Sequence, residues 1–466
     1  MENKKENFSE WYNEIIDLAK LSDKRYAIKG MNVWLPYGLK IMRLIDNIIR
    51  DNVDNKSFQE VSFPVLITRS QLETEFEHIK GFENEIYWVT KGGSEKLDIE
   101  LALRPTSESA MYTMFPLWIR SHQDLPLKIY QIVSVYRYET KHTRSFIRVR
   151  EIHFFEAHTA HVDYGDAERQ MSEYMDIWSS IAEKLCLPYN IDMRPDWDKF
   201  PGAKYTLAFD TLMPSGRSLQ IGTIHEYGEN FARNYDIKYL DINGDLKYVS
   251  QTTFGLSERL LAAVIGIHGD DTGLILPASI APVQAIIIPI PGKSFKEVLD
   301  YSGKILSMLK DINVRAEIDS RENYTPGYKY NDWEMRGVPL RIEIGSREME
   351  SSTVTVVSRL NKKRLNISIK EINNIKNMLN EHDKQLTLNA WKMMEENTVF
   401  IDDINNIPMN KDVLIKAYWC GSRECSDALE QKKDVTALGT LYNLNDSGKC
   451  IVCGNPGRLS MFARSY

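Results

Sequence analysis

The sequence predicts an α+β domain built on an antiparallel sheet, an α/β domain after it, and a small α+β unit at the end. Three observations carry that prediction. Two long β-runs, "KIYQIVSVYRYE" and "IRVREIHFFEAHTA", flank a polar turn at 141–145, the pattern of an antiparallel hairpin. Beyond "ILPASIAPVQ", a stretch with two prolines that reads as a linker, strand and helix alternate. From about Leu386 the chain carries Cys420, Cys425, Cys450 and Cys453, four of its five cysteines. The expected boundaries are 1–281, 282–385 and 386–466.

The elements follow in order. "MENKKENFSEWYNEII" has the spacing of an amphipathic helix and lacks the apolar h-region of a secretory signal. "YGDAERQMSEYMDIWSSIAEKLCL" is a strongly amphipathic helix, and "SERLLAAVIGIHG" a more apolar, buried one. Strands in hairpins with helices between them give α+β. After the linker, "VQAIIIPIP", "SFKEVLDYSGKILSMLKD", "VRAEID", "YKYNDWEMRG" and "PLRIEIG" alternate strand and helix, the rhythm of a parallel or mixed sheet. A chain of 466 residues exceeds one ordinary core, so two or three domains are expected. No apolar run approaches the roughly 20 residues of a membrane span, and a cytoplasmic location is the expectation. A net charge of −7 argues against general coating of nucleic acid but leaves room for a local basic site.

Three motifs yield to plainer readings. "IIIPIPGKSF" places Gly-Lys-Ser between strand and helix, but a phosphate-binding loop needs a glycine where Ile287 stands. His153, His158 and His161 lack a recognised ligand spacing, and lining of a polar pocket is the favoured reading. "HGDD" at 268–271 follows an apolar helix and reads as its C-terminal punctuation.

Residues 136–151, "YRYETKHTRSFIRVRE", crowd five cationic side chains into an acidic chain. On a hairpin, Arg137 and Glu139 share one face of the first strand and Arg148 and Arg150 one face of the second. Guanidinium forks at fixed separation suit a polyphosphate or a carboxylate. Cross-strand Arg/Glu pairs on an exposed face are the competing reading.

The wider sequence favours the first. The stretch resembles motif 2 of the class II aminoacyl-tRNA synthetases: Arg, any residue, Glu, a loop, then a second arginine. "FQEVSFPVLI", with Pro64, resembles the dimer-forming motif 1. "GLSERLLAAVIGIHGDDTGLILP", with Arg259 at a helix start, resembles motif 3. "LRPTSE", "SLQIGTIHEYGENFA" and "YKYNDWEMRGVPLRIEIG" narrow the resemblance to prolyl-tRNA synthetases of the archaeal and eukaryotic-like form, over nearly the whole chain.

That resemblance implies condensation of ATP, as its Mg2+ complex, with L-proline, then transfer to tRNA(Pro). It gives Arg137, Glu139 and Arg259 the catalytic roles. Arg137 is expected on the α-phosphate and the proline carboxylate, and Glu139 on the adenine amino group. Arg148, Val149, Gln220, Thr223, Ser257 and Arg259 match nucleotide contacts. Thr106 and Glu108 match the amine-recognition residues; Phe82, Phe154, His158, Phe200 and His225 match the pocket wall. The adenine-stacking phenylalanine common in class II is replaced here by Ile152. Glu334 and Arg341 match readers of two anticodon guanines, whose edges suit a carboxylate and a guanidinium, and Arg347 is expected on the RNA backbone. Tyr466 resembles a C-terminal tyrosine whose carboxylate approaches the catalytic domain. The resemblance also implies a homodimer. No room remains between motifs 2 and 3 for an inserted editing domain.

Cys-x4-Cys followed by Cys-x2-Cys-Gly has the spacing of a structural zinc site, with Gly454 permitting a tight knuckle. Four unligated thiols remain the alternative. Two other functions stay open: a synthetase-like sensor that binds amino acid or tRNA without charging, and a sister class II enzyme for threonine, serine or glycine.

Overall fold

The structure, a computed structural model, describes residues 2–73, 83–408 and 412–466. Among these, twelve strands form one sheet. Its centre is antiparallel, in the order Asn190–Met193, Tyr205–Leu212, Ser218–Gly228, Ser250–Ser257, Glu151–His161, Leu127–Tyr136. The period-2 alternation of a strand divides the sheet's two faces. Phe155, Ala157, Ile221 and Ile224 pack into the core, under the helix Tyr164–Lys184, whose Trp178 stacks on Phe209 at 4.4 Å. Phe154, Glu156, His158, Gln220, Thr223 and His225 point to the other face, where the cavity lies. The helix starts at Asp163, whose carboxylate accepts the Asp166 N–H.

The expected hairpin forms, but its regular ladder is shorter than the sequence pattern. Pairing ends at Tyr136↔Glu151, so Arg137, Glu139, Arg148 and Arg150 lie on the connecting segment rather than on strand faces. Other segments take over the backbone groups there. Tyr138 N–H donates to Glu85 O at 2.7 Å and Arg150 N–H to Gly30 O at 2.7 Å. Phe146 adopts a left-handed φ of 63°, and Arg148 N–H turns back to Arg144 O. The segment is thus a built platform that carries Arg137, Glu139 and Arg148 into the cleft, while Arg150 turns to Glu139 O and the Tyr138 ring.

The second sheet has five strands, ordered Ala316–Ile318, Ala285–Pro289, Leu340–Ile344, Thr353–Ser358, Arg364–Ser368, parallel on one side and antiparallel on the other. The expected linker before it is mostly buried and pinned. Arg315 donates to the carbonyls of Ala278, Ser279 and Ala281, and Asp383 accepts the Ala278 N–H. "HGDD" does more than end a helix: Asp270 receives both Nη groups of Arg359, at 2.9 and 2.6 Å, clamping the first unit to the second. Those contacts overcome the burial that would raise it and hold the Asp270 carboxyl at about 2.

A helix of 23 residues, Asn374–Glu396, spans the join at 385/386. The last unit's strands then extend the first sheet. Thr436–Leu441 pairs with Asn190–Met193 through Thr440↔Met193 and Leu441↔Asp192. No helix among the described residues is long and apolar enough to cross a membrane.

Candidate active site

A cleft of about 440 Å³ opens over the inner face of the large sheet. It gathers fourteen side chains singled out from sequence: Thr106, Glu108, Arg137, Glu139, Arg148, Val149, Phe154, His158, Phe200, Gln220, Thr223, His225, Ser257 and Arg259. The expectation for Phe82 falls outside the described residues.

Arg137 marks the division of the cleft. Its Nε donates to Pro105 O at 3.2 Å, in the loop that carries Thr106 and Glu108. Burial pushes the guanidinium's pKa down, and Glu85, Glu108 and Glu156 pull it back up. On one side lies an acidic, aromatic half. Thr106 Oγ1 and Tyr227 OH both donate to Glu108, the latter at 3.1 Å, fixing the carboxylate. Glu156 accepts from Gln131 Nε2 at 2.8 Å and from Ser107, and stands 3.1 Å from His158 Nε2. Burial alone would lower His158; the hydrogen bond to Glu156 and the charge of Glu108 raise it instead. Phe200 lies 4.8 Å from the His225 ring, whose Nδ1 meets Thr206 Oγ1 at 2.8 Å. Burial pushes His225 down to about 3, so it is a neutral wall.

On the other side the cations gather. Arg148 Nη1 donates to Glu139 Oε2 at 3.0 Å, and the Lys141 N–H reaches Glu139 Oε1 at 2.8 Å. Against a burial that would raise it, these contacts hold the Glu139 carboxyl below its usual range. Arg259 opens the helix Arg259–His268, as expected, and is braced by Ile147 O at 2.9 Å and Gln220 O at 3.2 Å. Burial, with Arg148 and Arg137 nearby, pulls it down to about 10. Three guanidinium groups kept close in a buried cleft repel one another, and a polyanion relieves that repulsion.

In the second sheet, Arg341 Nη1 donates to Glu334 Oε1 at 3.0 Å and stacks on Tyr330 at 4.0 Å. Both line a small depression with Trp333 and Val357. Arg347 stands apart from that depression, on the short helix Ser346–Glu350. In the last unit the four cysteine sulfurs lie within 4.8 Å of one another, with Cys420 3.6 Å from Cys425 and 3.7 Å from Cys453. A tetrahedral zinc with Zn–S of about 2.3 Å has S–S edges near 3.8 Å, so the set fits. Among the described residues it is the one cluster of metal-ligating type, and the three histidines disperse: His153 to Asp46, His158 to Glu156, His161 to Asp166.

Comparison with known proteins matches this architecture segment by segment. The family profile "tRNA synthetase class II core domain (G, H, P, S and T)" covers 87–268, "Anticodon binding domain" 284–377, and "Prolyl-tRNA synthetase, C-terminal" 401–466. The proline–tRNA ligase of Thermoplasma volcanium is 64% identical over 467 residues, covering 100% of each chain. The chain belongs to the prolyl-tRNA synthetase family. The prolyl-tRNA synthetase of Thermococcus kodakarensis is 50% identical over 99% of this chain and 98% of its own. The solved structure of Giardia lamblia prolyl-tRNA synthetase with prolyl-adenylate superposes with a TM-score of 0.96 at 34% identity, covering 99% of each chain. That of Cryptosporidium parvum with L-proline and AMP gives 0.93 at 33%, over 100% and 99%.

Within this prolyl-tRNA synthetase fold, the cleft also contains residues that sequence reading missed. Glu156 and Arg194 line it, as does Phe146, whose ring rests on Trp34 at 4.7 Å. Ile152, in the place of the class II stacking phenylalanine, lines it as well. Glu156 was legible in principle, since it shares strand parity with Phe154 and His158. Arg194 and Phe146 carry no local signal.

Proposed function

We infer that this chain is a proline–tRNA ligase: it joins proline to ATP as prolyl-adenylate, releasing pyrophosphate, and transfers the prolyl group to tRNA(Pro). The observation that carries this is Arg137, standing between a carboxylate-and-ring half and a cationic half of one cleft. A group at that point can neutralise the proline carboxylate and the α-phosphate together as charge develops. Glu108, oriented by Thr106 and Tyr227, holds the secondary ammonium. Phe154, Phe200, His158 and His225 wall the pyrrolidine; aromatic faces suit a flat ring beside a cationic nitrogen. Glu139 meets the adenine amino group, Val149 the base through its backbone, Arg148 and Arg259 the outer phosphates, and Gln220, Thr223 and Ser257 the remaining nucleotide contacts. ATP enters as its magnesium complex, which screens triphosphate charge.

Domains at 1–281, 282–385 and 386–466 divide the work. The middle one reads the anticodon through Glu334 and Arg341, with Arg347 toward the RNA backbone. Cys420, Cys425, Cys450 and Cys453 would hold a zinc ion that cross-links the last unit and leaves no open coordination position. Exposed Val65 and Leu66, with Phe63 packed on a partly exposed Trp118 at 5.7 Å, support a homodimer through this region. The location is cytoplasmic.

Charging of a tRNA(Pro) transcript with labelled proline tests the assignment; no acylation overturns it. Arg341→Ala separates the steps. One bidentate guanine contact is worth about 1–3 kcal/mol, so charging efficiency drops roughly tenfold or more while ATP–pyrophosphate exchange stays near wild type. Equal loss in both assays would place Arg341 in folding instead.

A further inference from the structure

Arg194 joins the cysteine-bearing unit to the cationic half of the cleft. It follows the strand Asn190–Met193, which pairs with Thr436–Leu441 across the seam between the units. On its other side, Thr436–Leu441 slips register against Pro456–Ala463 between Ala437 and Gly439. Leu438 is the extra residue of that bulge, so its carbonyl is released from the ladder. Gly439 has φ +147°, and a Cβ there would sit 2.3 Å from Met193 O. Only glycine lets the seam close this way.

The released Leu438 carbonyl accepts from Arg194 Nη1. Arg194 Nη2 donates to Asp210 Oδ1 at 2.9 Å and to Gln220 Oε1 at 3.1 Å. Nη1 lies 2.9 Å from Asp210 Oδ2, and Nε faces Asp198 Oδ2 at 3.6 Å. Every nitrogen of the fork therefore has a protein acceptor beside it, and the side chain is 6% exposed. Asp192 is fully buried next to Asp210, and that burial, with the neighbouring carboxylate, pushes its carboxyl well above the usual range. Gln220 in turn offers its own carbonyl to Arg259 Nη1 at 3.2 Å. One chain of contacts runs Leu438, Arg194, Gln220, Arg259. It borders a second cavity of about 380 Å³ that Arg423 and Tyr466 also line.

We propose that Arg194 is a positioning residue: it transmits the placement of the cysteine-bearing unit, through the bulged Leu438 carbonyl, to Gln220 and Arg259, and so sets nucleotide affinity without touching nucleotide. Its Nη groups are committed to Leu438, Asp210 and Gln220, and Gln220 braces Arg259 in the cationic half of the cleft. The proposal rests on reading that half as the ATP site.

The test is ATP–pyrophosphate exchange with the full-length protein, measuring KM for ATP and for proline separately. Arg194→Lys keeps the charge beside Asp210 but cannot bridge Gln220 and Leu438 at once. It is expected to raise the KM for ATP about tenfold and leave the KM for proline within about twofold, a split that general loosening does not produce. Gly439→Ala, in the distant unit, shifts the seam and raises the KM for ATP in the same selective way. An unchanged KM for ATP in Arg194→Lys, or parallel rises for both substrates, overturns the proposal. So does a Gly439→Ala protein with wild-type kinetics. Wild-type exchange with proline is the control: its absence would refute the ligase reading itself, whereas its presence with unsplit variants refutes only the role of Arg194.

Discussion

Arg137→Ala reduces proline-dependent ATP–pyrophosphate exchange by about 10²–10³, the usual cost of roughly 3–4 kcal/mol for removing one preorganised donor from a developing anion. The reason is geometric. The guanidinium stands where Glu108 and Glu156 on one side meet Arg148 and Arg259 on the other, held to Pro105 O at 3.2 Å. Two anions must approach each other to react, and Arg137 serves both. Alanine leaves them to repel across a low-dielectric cleft. The protein still folds, because the sheet beneath is built on the buried Phe155, Phe209 and Phe254. Thermal melting beside the exchange assay separates the two effects. Near wild-type exchange in a folded Arg137→Ala protein would remove this residue from the chemistry.

Glu108→Gln is the second large effect, and it falls on one substrate. Glu108 is 4% exposed, with Thr106 and Tyr227 donating to its two oxygens. Glutamine keeps the shape and loses the charge. Removing one partner of a buried ion pair costs about 3–5 kcal/mol, so the KM for proline rises by about 10² or more. The KM for ATP moves little, because the nucleotide half is organised by Arg148, Arg259 and Gln220. Exchange kinetics with each substrate varied in turn give the answer. A rise in the KM for ATP as large as that for proline would mean that Glu108 shapes the whole cleft rather than holding the amine.

The sequence made the helices and most of the cleft legible for a physical reason. A buried helix such as "RLLAAVIGIH" declares itself by composition, and Arg259 is conspicuous because it begins one. Alternation along "EIHFFEAHTAH" separates core from cleft, so Phe154 and His158 could be placed before any coordinates of the sheet. The same alternation misled at 137–150. Its period-2 pattern runs past the true end of the ladder, because Gly30 and Glu85, distant in sequence, supply the backbone partners there. The proline-bearing stretch at 275–284 reads as a linker, yet Arg315 pins it, and nothing local foretells that. The seam between the last unit and the large sheet was equally hidden. Strand edges pair through backbone groups that every residue possesses. Arg194, Asp192 and Asp210 look like surface charges in sequence and become a buried network only when that seam forms.

The central claim is that one cleft takes proline and ATP together. ATP–pyrophosphate exchange with the purified protein, run across all twenty amino acids, tests it most directly. Exchange that is strongest with proline, and lost in Arg137→Ala, is the predicted result. Exchange strongest with threonine, serine or glycine, or none with any amino acid, would contradict it.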